Sequence, residues 1–200
     1  MKKRYWLLAL SMCLLLVGCS QGKGNGSSKL TLEPYDLSDK EEKVVAATGR
    51  GSMFFFTLDG TLAKDMDLER TIEVYEKGKL VSDEPFQYDE EAKKYKHSLN
   101  SFGMESSEKD LKIFNGSEGA FITMDEDPIP EESGSIASSL LTEKVELKKD
   151  KPVYIYGMAT SKNNGDSVGI GLEDGKPVGS FKKSDKAYIY KITLVDRKSE

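Results

Sequence analysis

The chain has 200 residues, 29 Lys and Arg against 34 Asp and Glu, one His and two Cys, and a formal charge of −5. That balance excludes a nucleic-acid-binding surface, which needs a basic excess. Two cysteines and one histidine leave too few soft ligands for a zinc site.

Lys2, Lys3 and Arg4 form a basic head, and Tyr5 to Val17 an uncharged apolar run ending at Leu16-Val17-Gly18-Cys19. As a helix that run reaches only about 20 Å, short of the roughly 30 Å hydrocarbon core, so it reads as a secretory signal rather than a span. Leu-Val-Gly-Cys resembles the bacterial lipobox. The resemblance covers residues 1–20 and implies cleavage between Gly18 and Cys19, with diacylglyceryl and fatty-acyl (palmitate-type) modification of Cys19. It also implies a position on the extracytoplasmic face of the bacterial cell membrane, with the membrane itself as a partner through the lipid. Lys2, Lys3 and Arg4 leave with the signal, so 26 basic residues face 34 acidic ones, a formal −8. Arginine then remains only at Arg50, Arg70 and Arg197, which limits bidentate phosphate recognition. Cys13 is lost and Cys19 acylated, so no disulfide can form and the fold must rest on its core. The Lys-rich, Arg-poor composition resembles that of proteins from low-GC Gram-positive bacteria, an association only.

The expected organisation is a signal over 1–18, a lipidated flexible tether over 19–30 and one β-rich domain over 31–200. Gly and Ser dominate the tether. Ser38 and Glu41 make a capping box, Val44, Val45 and Ala47 an apolar side, and Gly49 a stop, which predicts a short helix over 38–48. Leu32, Tyr35 and Leu37 are its expected docking residues.

Strands and turns follow. Met53–Leu58 is an apolar run of strand length, with Leu58-Asp59-Gly60-Thr61 as its turn. Arg70–Glu76 alternates, and Lys77-Gly78 turns into Leu80-Val81. Residues 86–99 fit either a hairpin, the preferred reading, or a helix start at Asp89–Lys94. Leu111–Phe114 and Ala120–Met124 read as a hairpin joined at Asn115-Gly116, and Asp125–Ser135, with Pro128 and Pro130, as a loop. Val145–Leu147, Val153–Thr160, Val168–Leu172 and Tyr188–Val195 complete the set. Asn163-Asn164-Gly165-Asp166 and Asp174-Gly175 are the turns between them. Tyr154, Tyr156, Tyr188 and Tyr190, at period-two spacing, read as cross-strand sheet aromatics. The predicted class is mainly β: an antiparallel β-sandwich or barrel of about eight short strands with one short N-terminal helix.

Motifs that carry chemistry are sparse. Phe54-Phe55-Phe56-Thr57-Leu58-Asp59-Gly60-Thr61 resembles the first motif of haloacid-dehalogenase-type phosphatases, but Thr57 stands where that family has its nucleophilic carboxylate. Ser180-x-x-Lys183 with Ser184-Asp185 resembles fragments of penicillin-binding-protein motifs at the wrong spacing. His97 lies in a Lys-rich, solvated stretch. Asp65, Asp67 and Glu69, at alternate positions, offer oxygen ligands that suit Ca²⁺, as do Asp125-Glu126-Asp127. Neither has the glycine and spacing of an EF-hand, and a solvated acidic loop is the simpler reading. No other cofactor and no catalytic set is expected. The leading expectation is a non-enzymatic interaction module of the cell envelope, engaging an envelope or extracellular protein or a glycan. An envelope hydrolase with a carboxylate-based site, and an immunity or inhibitor lipoprotein, are the alternatives. For the folded part, no motif points to a known family.

Overall fold

A computed structural model describes residues 28–50, 53–88, 94–107, 110–128, 134–161 and 169–198. The lipobox with Gly18 and Cys19, the acidic run Asp89-Glu90-Glu91, Pro130, the turn 163–166 and Val168 lie outside the described residues. In chain order the elements are β1 (Lys29–Pro34), α1 (Asp39–Ala47), β2 (Met53–Thr61), β3 (Met66–Glu76), β4 (Lys79–Ser82), β5 (Pro85–Gln87) and β6 (Lys94–Ser106). Then come β7 (Leu111–Ser117), β8 (Ala120–Glu126), β9 (Gly134–Ser139), β10 (Val145–Glu146), β11 (Val153–Ser161), β12 (Gly171–Glu173), β13 (Lys176–Val178), a 3-10 turn (Ser180–Lys183) and β14 (Lys186–Asp196).

Two antiparallel sheets face each other. The first runs β10-β1-β2-β6-β7-β8; the second runs β4-β3-β14-β11-β9, with β5 also on β3. Each keeps its own edges, so the fold is a sandwich and not a closed barrel. The strands outnumber the eight expected, because polar-ended stretches such as Lys94–Ser106 and two-residue pairings escape a search for apolar runs.

Alternation dictates which side chains meet. Phe56 and Leu58 of β2 and Phe102 and Met104 of β6 point inward, against Leu68 and Ile72 of β3 and Tyr188, Tyr190 and Ile192 of β14. Phe102 stacks on Tyr190 with ring centroids 4.1 Å apart and planes 4° from parallel. The central seam is β3–β14, paired from Met66↔Asp196 to Glu76↔Lys186. A smaller apolar cluster lies on the outer face of the second sheet, around Leu140, Tyr154, Ile170, Phe181 and Ile189.

Several local expectations change. Leu32 does not dock the helix; it lies in β1 within the core, and β1 already begins at Lys29, inside the expected tether. Glu41 caps α1, accepting from the Ser38 N–H at 2.8 Å and the Ser38 hydroxyl at 2.6 Å. Yet α1 has no buried residue, and Val44 is 61% exposed. Asp59-Gly60 is not a turn but part of β2, at an irregularity in its pairing with β6. Asn115-Gly116 likewise lies within β7, the turn being Glu118-Gly119, because the buried Asn115 side chain finds partners only the folded core supplies. Phe86 and Tyr95 do not share a hairpin: β5 pairs with β3 and β6 with β2, in different sheets. Asp125 and Glu126 belong to β8 and Ser135 to β9 rather than to one loop. Of the four tyrosines, Tyr156 pairs with Tyr190, whereas Tyr154 is turned to the opposite face by a register shift in β11.

Candidate functional site

A cavity of about 510 Å³ opens beside the second sheet. Three segments build it. The chain leaving β9 is pinned by the Leu140 and Leu141 N–H groups, which donate to the Ile155 carbonyl at 2.9 and 3.2 Å. The start of β11 supplies Val153 and Tyr154, and the β12–β13 hairpin, turning at Asp174-Gly175, supplies Leu172. Leu140, Val145, Ile170 and Leu172 make the walls apolar; Ser139, Thr142 and Glu143 add polar groups. A cleft of this size and lining suits a small-molecule body or an apolar side chain.

The orientation of Tyr154 in the cleft wall is fixed from behind by a buried carboxylate. The Tyr154 hydroxyl donates to Glu73 Oε1 at 3.3 Å, the Tyr75 hydroxyl to Oε2 at 2.8 Å, and Lys191 Nζ to Oε1 at 2.6 Å. Burial, then the Glu73 charge, pushes the Tyr154 phenol up to about 12, and burial with the Glu73 hydrogen bond raises Tyr75 further. Burial also raises Tyr156 and Tyr188. A phenol raised in the native state keeps its proton while the unfolded chain loses it, so its stabilisation is complete below pH ~10 and lost as pH climbs toward about 12. The melting temperature is therefore expected to fall steeply between pH 10 and 12, and less steeply in Tyr154→Phe. Parallel profiles for the two proteins would contradict the buried phenol.

The sequence-predicted residues do not converge on this cleft. Asp67 is buried, its Oδ1 accepting from the Leu68 N–H at 2.8 Å and its Oδ2 lying 4.0 Å from Arg197 Nε. Glu69 accepts from the Thr71 hydroxyl at 3.4 Å, and the Asp65 carbonyl receives the Arg197 N–H. Among the described residues no three His, Cys, Asp or Glu side chains form a group that could hold a metal ion. His97 Nδ1 lies 3.0 Å from Asp59 Oδ2, with the imidazole 82% exposed. This pair has the base–orienter geometry of a triad, but among the described residues no hydroxyl bonds the other ring nitrogen. Thr57 is buried in β2. Ser180 accepts from the Gly169 N–H at 2.9 Å, and the buried Ser184 hydroxyl bonds the Phe181 carbonyl, so both brace the 3-10 turn.

Sequence reasoning passed over one interior network. Arg70, 1% exposed, donates from Nη1 to the Tyr190 hydroxyl and from Nη2 to Asn100 Oδ1, both at 3.1 Å. Tyr190 donates to Asn115 Oδ1 at 3.0 Å, and Asn115 Nδ2 to Gln87 Oε1 at 2.7 Å. These side chains tie β3, β14 and β5 to β6 and β7 across the sandwich. The available signal was the inward alternation Met66, Leu68, Arg70, Ile72, Val74, which puts a guanidinium on a core face. On the outer face of the first sheet, Arg50 sits 4.5 Å from the Phe114 ring centroid and 4.6 Å from that of Phe121, which is 50% exposed.

Comparison with curated proteins and with solved structures returns no match. The sequence model of one family, described as the YgaN domain, matches residues 31–194. That span runs from β1 to β14 and takes in both sheets, the cleft and the Arg70 network. It corrects the expectation that the folded part has no recognisable family: a family model sums weak preferences over many positions, where a search for short motifs finds only generic strands and turns. The chain belongs to the YgaN domain family.

Proposed function

We propose that this protein is a lipid-anchored, extracytoplasmic binding module of the bacterial cell envelope, with the cleft between residues 139–145, β11 and the β12–β13 hairpin as its ligand seat. The observation that carries the binding reading is the cleft itself: about 510 Å³, with apolar walls from Leu140, Val145, Ile170 and Leu172 and polar groups from Ser139, Thr142 and Glu143. The buried carboxylate beside it, Glu73, is taken up by Lys191 and two phenols, an arrangement that supports a rigid wall rather than acid–base chemistry. The anchor reading rests on the lipobox tetrapeptide and its basic and apolar flanks. Among the described residues no helix is long and apolar enough to cross a membrane. Two acyl chains on Cys19 would hold the domain at the bilayer, since one alone binds only marginally.

Each part has its own test. Cells fed a labelled fatty acid are expected to label the wild type and not Cys19→Ala, which leaves the membrane fraction; an unlabelled wild type would end the anchor reading. For the cleft, the neutral apolar dye N-phenyl-1-naphthylamine is expected to bind the full-length protein with one-to-one stoichiometry. Gly171 lines the cleft, and a Cβ there meets nothing within 4 Å, so a larger side chain has room to start, and Gly171→Leu is expected to abolish dye binding with little change in melting temperature. No binding by the wild type, or equal binding by the filled variant, would end the ligand-seat reading.

A further inference from the structure

The cleft carries a charge that its apolar walls do not reveal. Among the described residues lining the cleft, Glu143 alone carries a charge at neutral pH. Tyr154 keeps its proton, and among the described residues no Lys or Arg lines the space. The neighbouring Lys144 is turned away: its Nζ lies 2.9 Å from Glu33 Oε2, across on β1. That ion pair holds Lys144 against another strand, and among the described residues Glu143 has no hydrogen bond or ion pair of its own. An exposed, unengaged carboxylate therefore stands in the lining of an apolar cleft on a chain already acidic overall.

We infer that the cleft takes an amphiphilic cation: a small molecule whose apolar body lies against Leu140, Ile170 and Leu172 and whose ammonium group meets Glu143. The inference rests on the cleft being the ligand seat. Burial of the apolar body supplies the affinity, because transfer of its surface from water is the larger favourable contribution. The Glu143 carboxylate supplies the choice between charge types, attracting an ammonium and repelling an anion of the same shape. Being exposed, the pair contributes modestly and is weakened by salt.

The test uses three ligands of one shape, 4-phenylbutylamine, 4-phenylbutanol and 4-phenylbutyrate, competing with bound N-phenyl-1-naphthylamine on the full-length protein. The amine is expected to displace the dye at about fivefold lower concentration than the carboxylate, with the alcohol between them. In Glu143→Gln the amine's advantage should vanish while displacement by the alcohol is unchanged. Near-saturating salt should narrow the wild-type gap. Equal displacement by all three, or a gap that survives Glu143→Gln, would overturn the charge preference and leave the ligand seat standing. A dye that never binds, or that binds the Gly171→Leu variant equally, would overturn both.

Discussion

Replacing Phe102 with alanine is expected to lower the free energy of unfolding by about 3–5 kcal/mol, the range for emptying a fully buried aromatic site. Phe102 is 0% exposed, lies face to face with Tyr190 at 4.1 Å, and meets the Tyr156 ring at 5.6 Å. Those two tyrosines come from the opposite sheet, so the ring is a principal contact between the two layers. Its loss also frees Tyr190, whose hydroxyl stands between Arg70 and Asn115. A chemical-denaturation midpoint that drops with little change in slope would show loss of packing alone; a changed slope would show that the sheets have come apart in the native ensemble. A loss under about 1 kcal/mol would mean the two sheets do not pack through this stack.

Gly60→Ala is expected to be nearly as damaging, for a different reason. Gly60 has φ +118°, and a Cβ built there would lie 1.8 Å from the Lys29 carbonyl oxygen. The clash is with backbone, so either β1 peels from β2 or β2 loses its irregularity opposite β6, and about 3 kcal/mol should go with it. Gly175→Ala is the control. Its φ of +70° lies in the left-handed region, where backbone strain is milder than at +118°, and a Cβ there has nothing within 4 Å, so its cost should stay near 1 kcal/mol. Equal losses in the two variants would show that the close approach of β1 adds no cost at Gly60.

These two residues also mark how far the sequence could be read. Strand positions were legible wherever apolar alternation was unbroken, as at Ile72 and Val74, because that period belongs to the strand itself. The helix cap was legible for the same local reason: Ser38 and Glu41 are three residues apart and satisfy each other. Gly60 and Asn115-Gly116 were misread because the residue types that favour turns also serve strands, where a glycine admits a neighbouring backbone or an asparagine bonds within a core. What decides between the two uses is the Lys29 carbonyl in one case and Tyr190 with Gln87 in the other. Those partners lie far away along the chain.

The candidate site shows the same division. Glu143, Tyr154, Ile170 and Leu172 carry no motif, and their meeting depends on a register shift in β11 and on a hairpin folding back over the sheet. Asp65, Asp67 and Glu69 are evenly spaced in sequence, yet the strand sends Asp67 toward Arg197 and its own backbone. By itself the amino-acid order determined the β class, the capped helix and the lipobox pattern, since each depends on residues within one turn or a few strand positions of one another. The pairing of β5 and β6 into different sheets, the buried Arg70 network and the charge character of the cleft were decided only by the tertiary structure. They depend on contacts between distant segments, whose register local preferences leave open.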